Sequence, residues 1–147
     1  MATERLTEDL LLLTRLLRPS RHTDMTQQQY WLLRHLRCSG PQNIGELAQA
    51  LGITTGSATV ACKRLEKAGL ITRTRQAEDE RVVQVSLTDT GRTQIDAVRQ
   101  QRRESLTHLL QVLDEPEQQE LQRLVERLLD AAEAQGFGEM KKNDRHH

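Results

Sequence analysis

Between Asn43 and Leu87 the apolar period changes once, and that change leaves few folds open. Up to Leu65 the apolar residues recur at helical spacing, as Ile44, Leu47, Ala48 and Leu51, then as Ala58, Ala61, Cys62 and Leu65. Past Leu70 and Ile71 they alternate instead: Val83, Val85 and Leu87 are separated by Gln84 and Ser86. Asn43 stands where an N-cap belongs, and Gly52 where a C-terminal glycine belongs. A tight turn, Gly52-Ile53-Thr54, then leads into a second helix from about Thr55 to Ala68, ended by Gly69. Leu70 to Thr74 and Val83 to Leu87 read as strands around a polar tip at Gln76 to Glu80. The expectation is a helix-turn-helix followed at once by a β-hairpin.

Helices flank this unit on both sides. Leu6, Leu10, Leu13 and Leu17, widened by Leu12 and Leu16, predict an amphipathic helix from about Thr3 to Leu17, ended near Pro19. A second follows Thr26 and carries Tyr30, Leu33 and Leu36 to about Arg37, before a turn at Gly40-Pro41. Thr88-Asp89 caps a long helix with Ile95, Val98, Leu106, Leu109, Leu110 and Leu113 on one side. Pro116 opens a last helix bearing Leu121, Leu124, Val125, Leu128 and Leu129, closed by Gly136. The charged tail from Glu139 to His147 is expected to be loose. The fold class is mainly α with a small β-hairpin wing.

Charge points to a function where the total does not. Lys plus Arg and Asp plus Glu are both 21, a neutral balance. Yet Lys63, Arg64, Lys67, Arg73 and Arg75 face a single acid, Glu66, across the middle of the chain. From Asp114 to Glu139 eight acids outweigh Arg123 and Arg127. Once Ala58, Ala61, Cys62 and Leu65 are turned inward, the second helix of the pair presents Gly56, Ser57, Thr59, Val60, Lys63, Arg64 and Lys67 outward. Such a helix suits a DNA major groove about 12 Å wide. Thr54, Thr55 and Gly56 are small enough to let its N-terminus sit deep. Ser57 and Thr59 can hydrogen-bond base edges or phosphate, and Val60 can meet a thymine methyl. Lys63, Arg64, Lys67, Arg73 and Arg75 are candidates for phosphates or a guanine edge. At the hairpin tip Arg81 is the candidate for a narrow minor groove, with Asp79 orienting its guanidinium. The plainer alternative is a solvated surface helix beside a surface hairpin.

Three runs make the resemblance specific. Leu65-Glu66-Lys67-Ala68-Gly69-Leu70-Ile71-Thr72-Arg73 looks like the recognition-helix exit of MarR-type regulators. Asp79-Glu80-Arg81, then Val85 to Gly91, is similar to their wing motif, and Asn43 to Ala48 fits their first helix-turn-helix helix. The chain therefore resembles the MarR family of winged helix-turn-helix transcription regulators. The resemblance implies a homodimer that binds a pseudo-palindrome on double-stranded DNA, acting as a repressor released by a small aromatic or phenolic effector. It divides the chain into an N-terminal dimerisation helix (1–25), a winged helix-turn-helix domain (26–91), C-terminal dimerisation helices (92–138) and a tail (139–147). Two departures stand out: Glu80 replaces the basic residue common between the wing Asp and Arg, and Val60 replaces an Arg frequent in relatives.

His22, Tyr30, Trp31, Arg34 and His35 lie where the resemblance puts the effector pocket's rim. Tyr30 and Trp31 could stack on an aromatic ring, and Arg34 or a histidine could take a carboxylate; alternatively Trp31 packs in the core. Cys38 and Cys62 are too few for a disulfide framework or a four-cysteine metal site, and they leave open a redox-responsive switch. The five histidines show no metal-ligand spacing, and no cofactor is expected. No nucleophile elbow or glycine-rich phosphate loop marks an enzyme. A winged helix can also bind protein rather than DNA, and salt dependence separates the two. With no apolar run near 18 residues and no secretion signal, no membrane partner is expected and the expected location is cytoplasmic.

Overall fold

The computed structural model describes residues 1–17, 25–75, 78 and 82–136. Its elements run α1 (Ala2–Leu16), α2 (Gln27–Ser39), β1 (Gln42–Asn43), α3 (Ile44–Leu51), α4 (Thr55–Lys67), β2 (Ile71–Arg75), β3 (Val83–Leu87), α5 (Asp89–Leu110) and α6 (Glu115–Ala134). Pro19 and the tail from 137 onward lie outside the described residues.

Short polar side chains set where the helices begin. Thr26 Oγ1 accepts from the Gln29 amide at 3.1 Å while Gln29 Oε1 accepts from the Thr26 amide at 3.0 Å, a reciprocal capping box. Asn43 Oδ1 accepts from Glu46 N at 2.8 Å, and Thr54 Oγ1 from Ser57 N at 3.1 Å. Thr88 Oγ1 and Asp114 Oδ1 cap α5 and α6 in the same way, at 3.0 and 2.9 Å. Each cap satisfies a backbone donor that the first helical turn leaves without a partner. Gly52 ends α3 at φ 65°, a left-handed conformation that costs a side-chain-bearing residue strain.

The sheet is larger than the expected hairpin. β2 and β3 pair antiparallel with Arg73 opposite Val85, as the alternation implies. β1 adds a third strand on the far side of β3, Gln42 opposite Val85 and Asn43 opposite Gln84, giving the order β1-β3-β2. Two polar residues carry no alternation to announce a strand. They become one because β3 offers a second row of backbone groups, and the Gly40-Pro41 turn delivers the chain to it.

Tyr30, Leu32, Leu33 and Leu36 of α2 pack with Leu47 of α3, Ala61, Cys62 and Leu65 of α4, Leu70, Ile71 and Val85 of the sheet, and Ile95 and Val98 of α5. One close approach fixes how α5 leaves this core. Thr88 Oγ1 donates to Gly69 O at 2.6 Å and Thr88 N to Leu70 O at 3.1 Å. Gly91 then lies so near that an added Cβ would strike the Leu70 carbonyl, with its carbon at 2.9 Å. α1 and α6, by contrast, contain no buried residue, and Leu6, Leu16 and Leu128 are 59%, 71% and 61% exposed. Among the described residues no helix is long and apolar enough to cross a membrane.

Candidate nucleic-acid interface

The core decides which way α4 faces. Ala58, Ala61, Cys62 and Leu65 are all buried, at the spacing that puts them on one side of a helix. The opposite side is exposed: Thr55, Gly56, Ser57, Val60, Lys63, Arg64 and Lys67. Thr54 precedes the helix, and its hydroxyl both accepts the Ser57 amide and donates to Ser57 Oγ at 3.0 Å. Ser57 itself is exposed at the start of the helix. Thr59 departs from the expected outward set. It is half-buried and its hydroxyl donates to Thr55 O at 2.8 Å, so its polar atom is turned back onto its own helix.

The start of α2 lies against the start of α4. A groove of about 450 Å³ runs between them, lined by Thr26, Gln28, Thr54, Gly56, Ser57 and Arg64 among others. Gln28 is a candidate phosphate contact that a helix-turn-helix pattern confined to 43–69 could not reveal, because α2 reaches this face only after folding.

The basic segment divides. Lys63, Arg64, Lys67 and Arg75 are exposed. Arg73 is 28% exposed and makes a bidentate pair with Glu66: Nε donates to Oε2 and Nη2 to Oε1, each at 3.0 Å. The hydrogen bonds from Arg73 hold the Glu66 carboxyl below its ordinary pKa, and the same bonds raise that of Arg73. Asp79 and Arg81 of the wing tip, and His22, lie outside the described residues.

Of the remaining residues expected at an effector rim, Trp31 and Arg34 touch Tyr30. Its ring is buried at 3% exposure, its hydroxyl accepts from Arg34 Nη1 at 3.4 Å, and the edge of half-buried Trp31 meets it at 5.2 Å between centroids. Arg102 of α5 stacks its guanidinium 4.0 Å from the same ring, a contact between residues far apart in sequence. His35 is half-buried. A separate cleft of about 440 Å³ opens between the start of α2, the end of α4 and the start of α5. Met25, Gln29, Arg64, Leu70, Gln94 and Gln101 are among its walls; Tyr30, Trp31, Arg34 and His35 are not.

Of the thiols, Cys38 is half-buried and Cys62 fully buried. Burial pushes the Cys62 thiol up to about 11, with Arg73 lowering and Glu66 raising it by smaller amounts. At neutral pH it is a protonated thiol, the unreactive form. Among the described residues no three metal-ligating side chains cluster.

A sealed helix-turn-helix, a basic exposed face on its second helix and a β-ribbon behind it define a winged helix-turn-helix DNA-binding domain. Comparison with known proteins agrees. The MarR family model matches residues 25–83. The transcriptional repressor MdtR of Bacillus subtilis is 29% identical over 120 residues, 82% of this chain and 77% of that protein. The crystal structure of YusO from Bacillus subtilis superposes with a TM-score of 0.74 at 26% identity, covering 89% of this chain and 96% of that one. A mutant MarR from E. coli gives 0.74 at 27% identity, covering 86% and 95%. Over its winged helix-turn-helix domain the chain resembles the MarR family. The relatives it matches are transcription regulators, and its fold is that of a winged helix-turn-helix.

Proposed function

We propose that the protein represses transcription by binding a pseudo-palindromic operator as a homodimer, and that a small aromatic or phenolic effector releases it. The observation that carries the reading is the exposed face of α4, where Ser57, Val60, Lys63, Arg64 and Lys67 stand clear of the core. In each copy this face enters a major groove. Ser57 and Val60 read base edges, and Lys63, Arg64, Lys67 and Arg75 hold phosphates. Half-sites then lie about 10 bp apart, or a multiple of that.

The dimer reading is supported by the leucines of α1 and α6 and by Leu106 and Leu109 of α5, an apolar surface no monomer keeps wet without cost. The effector reading is supported by the cleft between α2, α4 and α5, whose volume suits a small ligand. Arg64 lines both that cleft and the α2–α4 groove, so an occupant would act directly on a DNA-facing side chain. MdtR is named a repressor, and repression is carried to this chain from that relative.

The test is selection of genomic fragments by the purified protein at two salt concentrations. The expected result is one pseudo-palindromic motif whose binding weakens steeply with salt. Enrichment without a motif, or with no salt dependence, would overturn the operator reading. Aromatic carboxylates titrated into the protein–operator complex, with the single Trp31 as fluorophore, then test release.

A further inference from the structure

Glu66 sits in the last turn of α4 and Arg73 in the middle of β2, seven positions on. Between them the chain reverses through Gly69 at φ +78°. Two backbone hydrogen bonds hold that reversal, Gly69 N to Glu66 O and Leu70 N to Leu65 O, both 3.0 Å. Both lie close to the turn, so on their own they govern poorly how far β2 leans from the axis of α4. The Glu66–Arg73 pair acts further out. A single contact between flexible side chains would allow the two elements to swing. A planar guanidinium gripping both oxygens of a carboxylate has one low-energy arrangement, so it fixes distance and orientation together. The buried layer next to it, Cys62, Leu65, Leu70 and Ile71, supplies a rigid floor.

The pair also changes what Arg73 can do. The edge of its guanidinium formed by Nε and Nη2 faces Glu66, and the carboxylate compensates its charge. Lys63, Arg64, Lys67 and Arg75 remain exposed to DNA. We propose that Glu66 and Arg73 are positioning residues: they lock the wing at its angle to α4 so that both elements meet their grooves together, and Arg73 holds no phosphate. A wing free to swing would have to be ordered on binding, which costs affinity without adding a contact. The inference rests on the DNA-binding role of α4 proposed above.

Binding of the variants to a duplex carrying the selected motif, followed by fluorescence anisotropy across a salt series, separates the two roles. Arg73→Lys keeps the charge and loses the fork. A positioning role predicts a several-fold weaker complex with an unchanged slope of log affinity against log salt. Glu66→Gln is expected to weaken binding in the same way. The exchange Glu66→Arg with Arg73→Glu is expected to recover most of the loss, although it places a negative charge at position 73. The proposal is overturned if Arg73→Lys binds like the parent, if Glu66→Gln binds more tightly, or if Arg73→Ala lowers the slope by about 0.9 for each phosphate contact removed. Circular dichroism melting checks that each variant folds, and Arg73→Lys alone suffices if the others do not. A parent protein that binds no duplex with salt dependence overturns the DNA reading, and this inference with it. Normal parent binding with a silent Arg73→Lys overturns the inference alone.

Discussion

Two sets of leucines in this chain meet opposite fates. Every buried apolar side chain among the described residues lies between Tyr30 and Val98, and Leu32, Leu33 and Leu47 have no exposed surface at all. α1 and α6 are as leucine-rich and as clearly amphipathic, yet neither buries a residue. The difference is not in the helices but in what faces them. α2, α3, α4 and the sheet close on one another within a short stretch of chain, so each apolar stripe finds a partner nearby. Among the described residues, α1, the far half of α5 and α6 carry such stripes without burying them. The first region is complete as a single copy; the second has the composition of a half-interface.

That contrast can be broken experimentally. The largest effect is expected from Leu33→Ala, which empties a sealed site and costs about 2–5 kcal/mol of folding stability by denaturant titration. Its melting temperature should fall by the same amount at every protein concentration. A loss under about 1 kcal/mol would mean the site collapses and the region is less closely packed than its burial implies. Next comes Leu13→Asp on α1. The parent's melting temperature should rise with protein concentration, as mass action requires of a dimer. In the variant that rise should vanish, with dimerisation weakened at least tenfold, about 1.4 kcal/mol, by sedimentation. A stable variant dimer would remove α1 from the interface.

Lys63→Ala touches neither set of leucines. Stability and dimerisation should be unchanged, while the salt slope of operator binding drops by about 0.9 per protomer. An unaltered slope would show that Lys63 points past the backbone of the DNA. The smallest effect concerns Cys62. Its folded pKa is raised to about 11 by burial, so the folded state holds its proton longer than the unfolded chain does. Stability from this group is then complete below the ordinary thiol pKa and declines as pH climbs towards 11. Cys62→Ala should flatten that alkaline limb, and iodoacetamide should label Cys62 slowly in the native protein at neutral pH. Rapid native labelling would reopen a redox role for this cysteine.

The sequence by itself determined what depends on neighbours along the chain. The helical period alone selects Ala58, Ala61, Cys62 and Leu65 as the buried side of α4. The hydrogen bond from a cap to a turn three residues away makes Thr26, Asn43 and Thr88 legible as helix starts. Tertiary structure decided whatever depends on which elements meet. β1 is a strand only because β3 lies beside it. Arg37 reaches Asp96 at 3.0 Å across 59 positions, and Arg102 covers Tyr30 from another helix. Arg73 looked like one more cation in a basic run until β2 was seen to lay it against Glu66. Charge on a sequence records sign and spacing, but a carboxylate and a guanidinium pair only where the backbone brings their planar groups within about 3 Å, and that distance belongs to the fold.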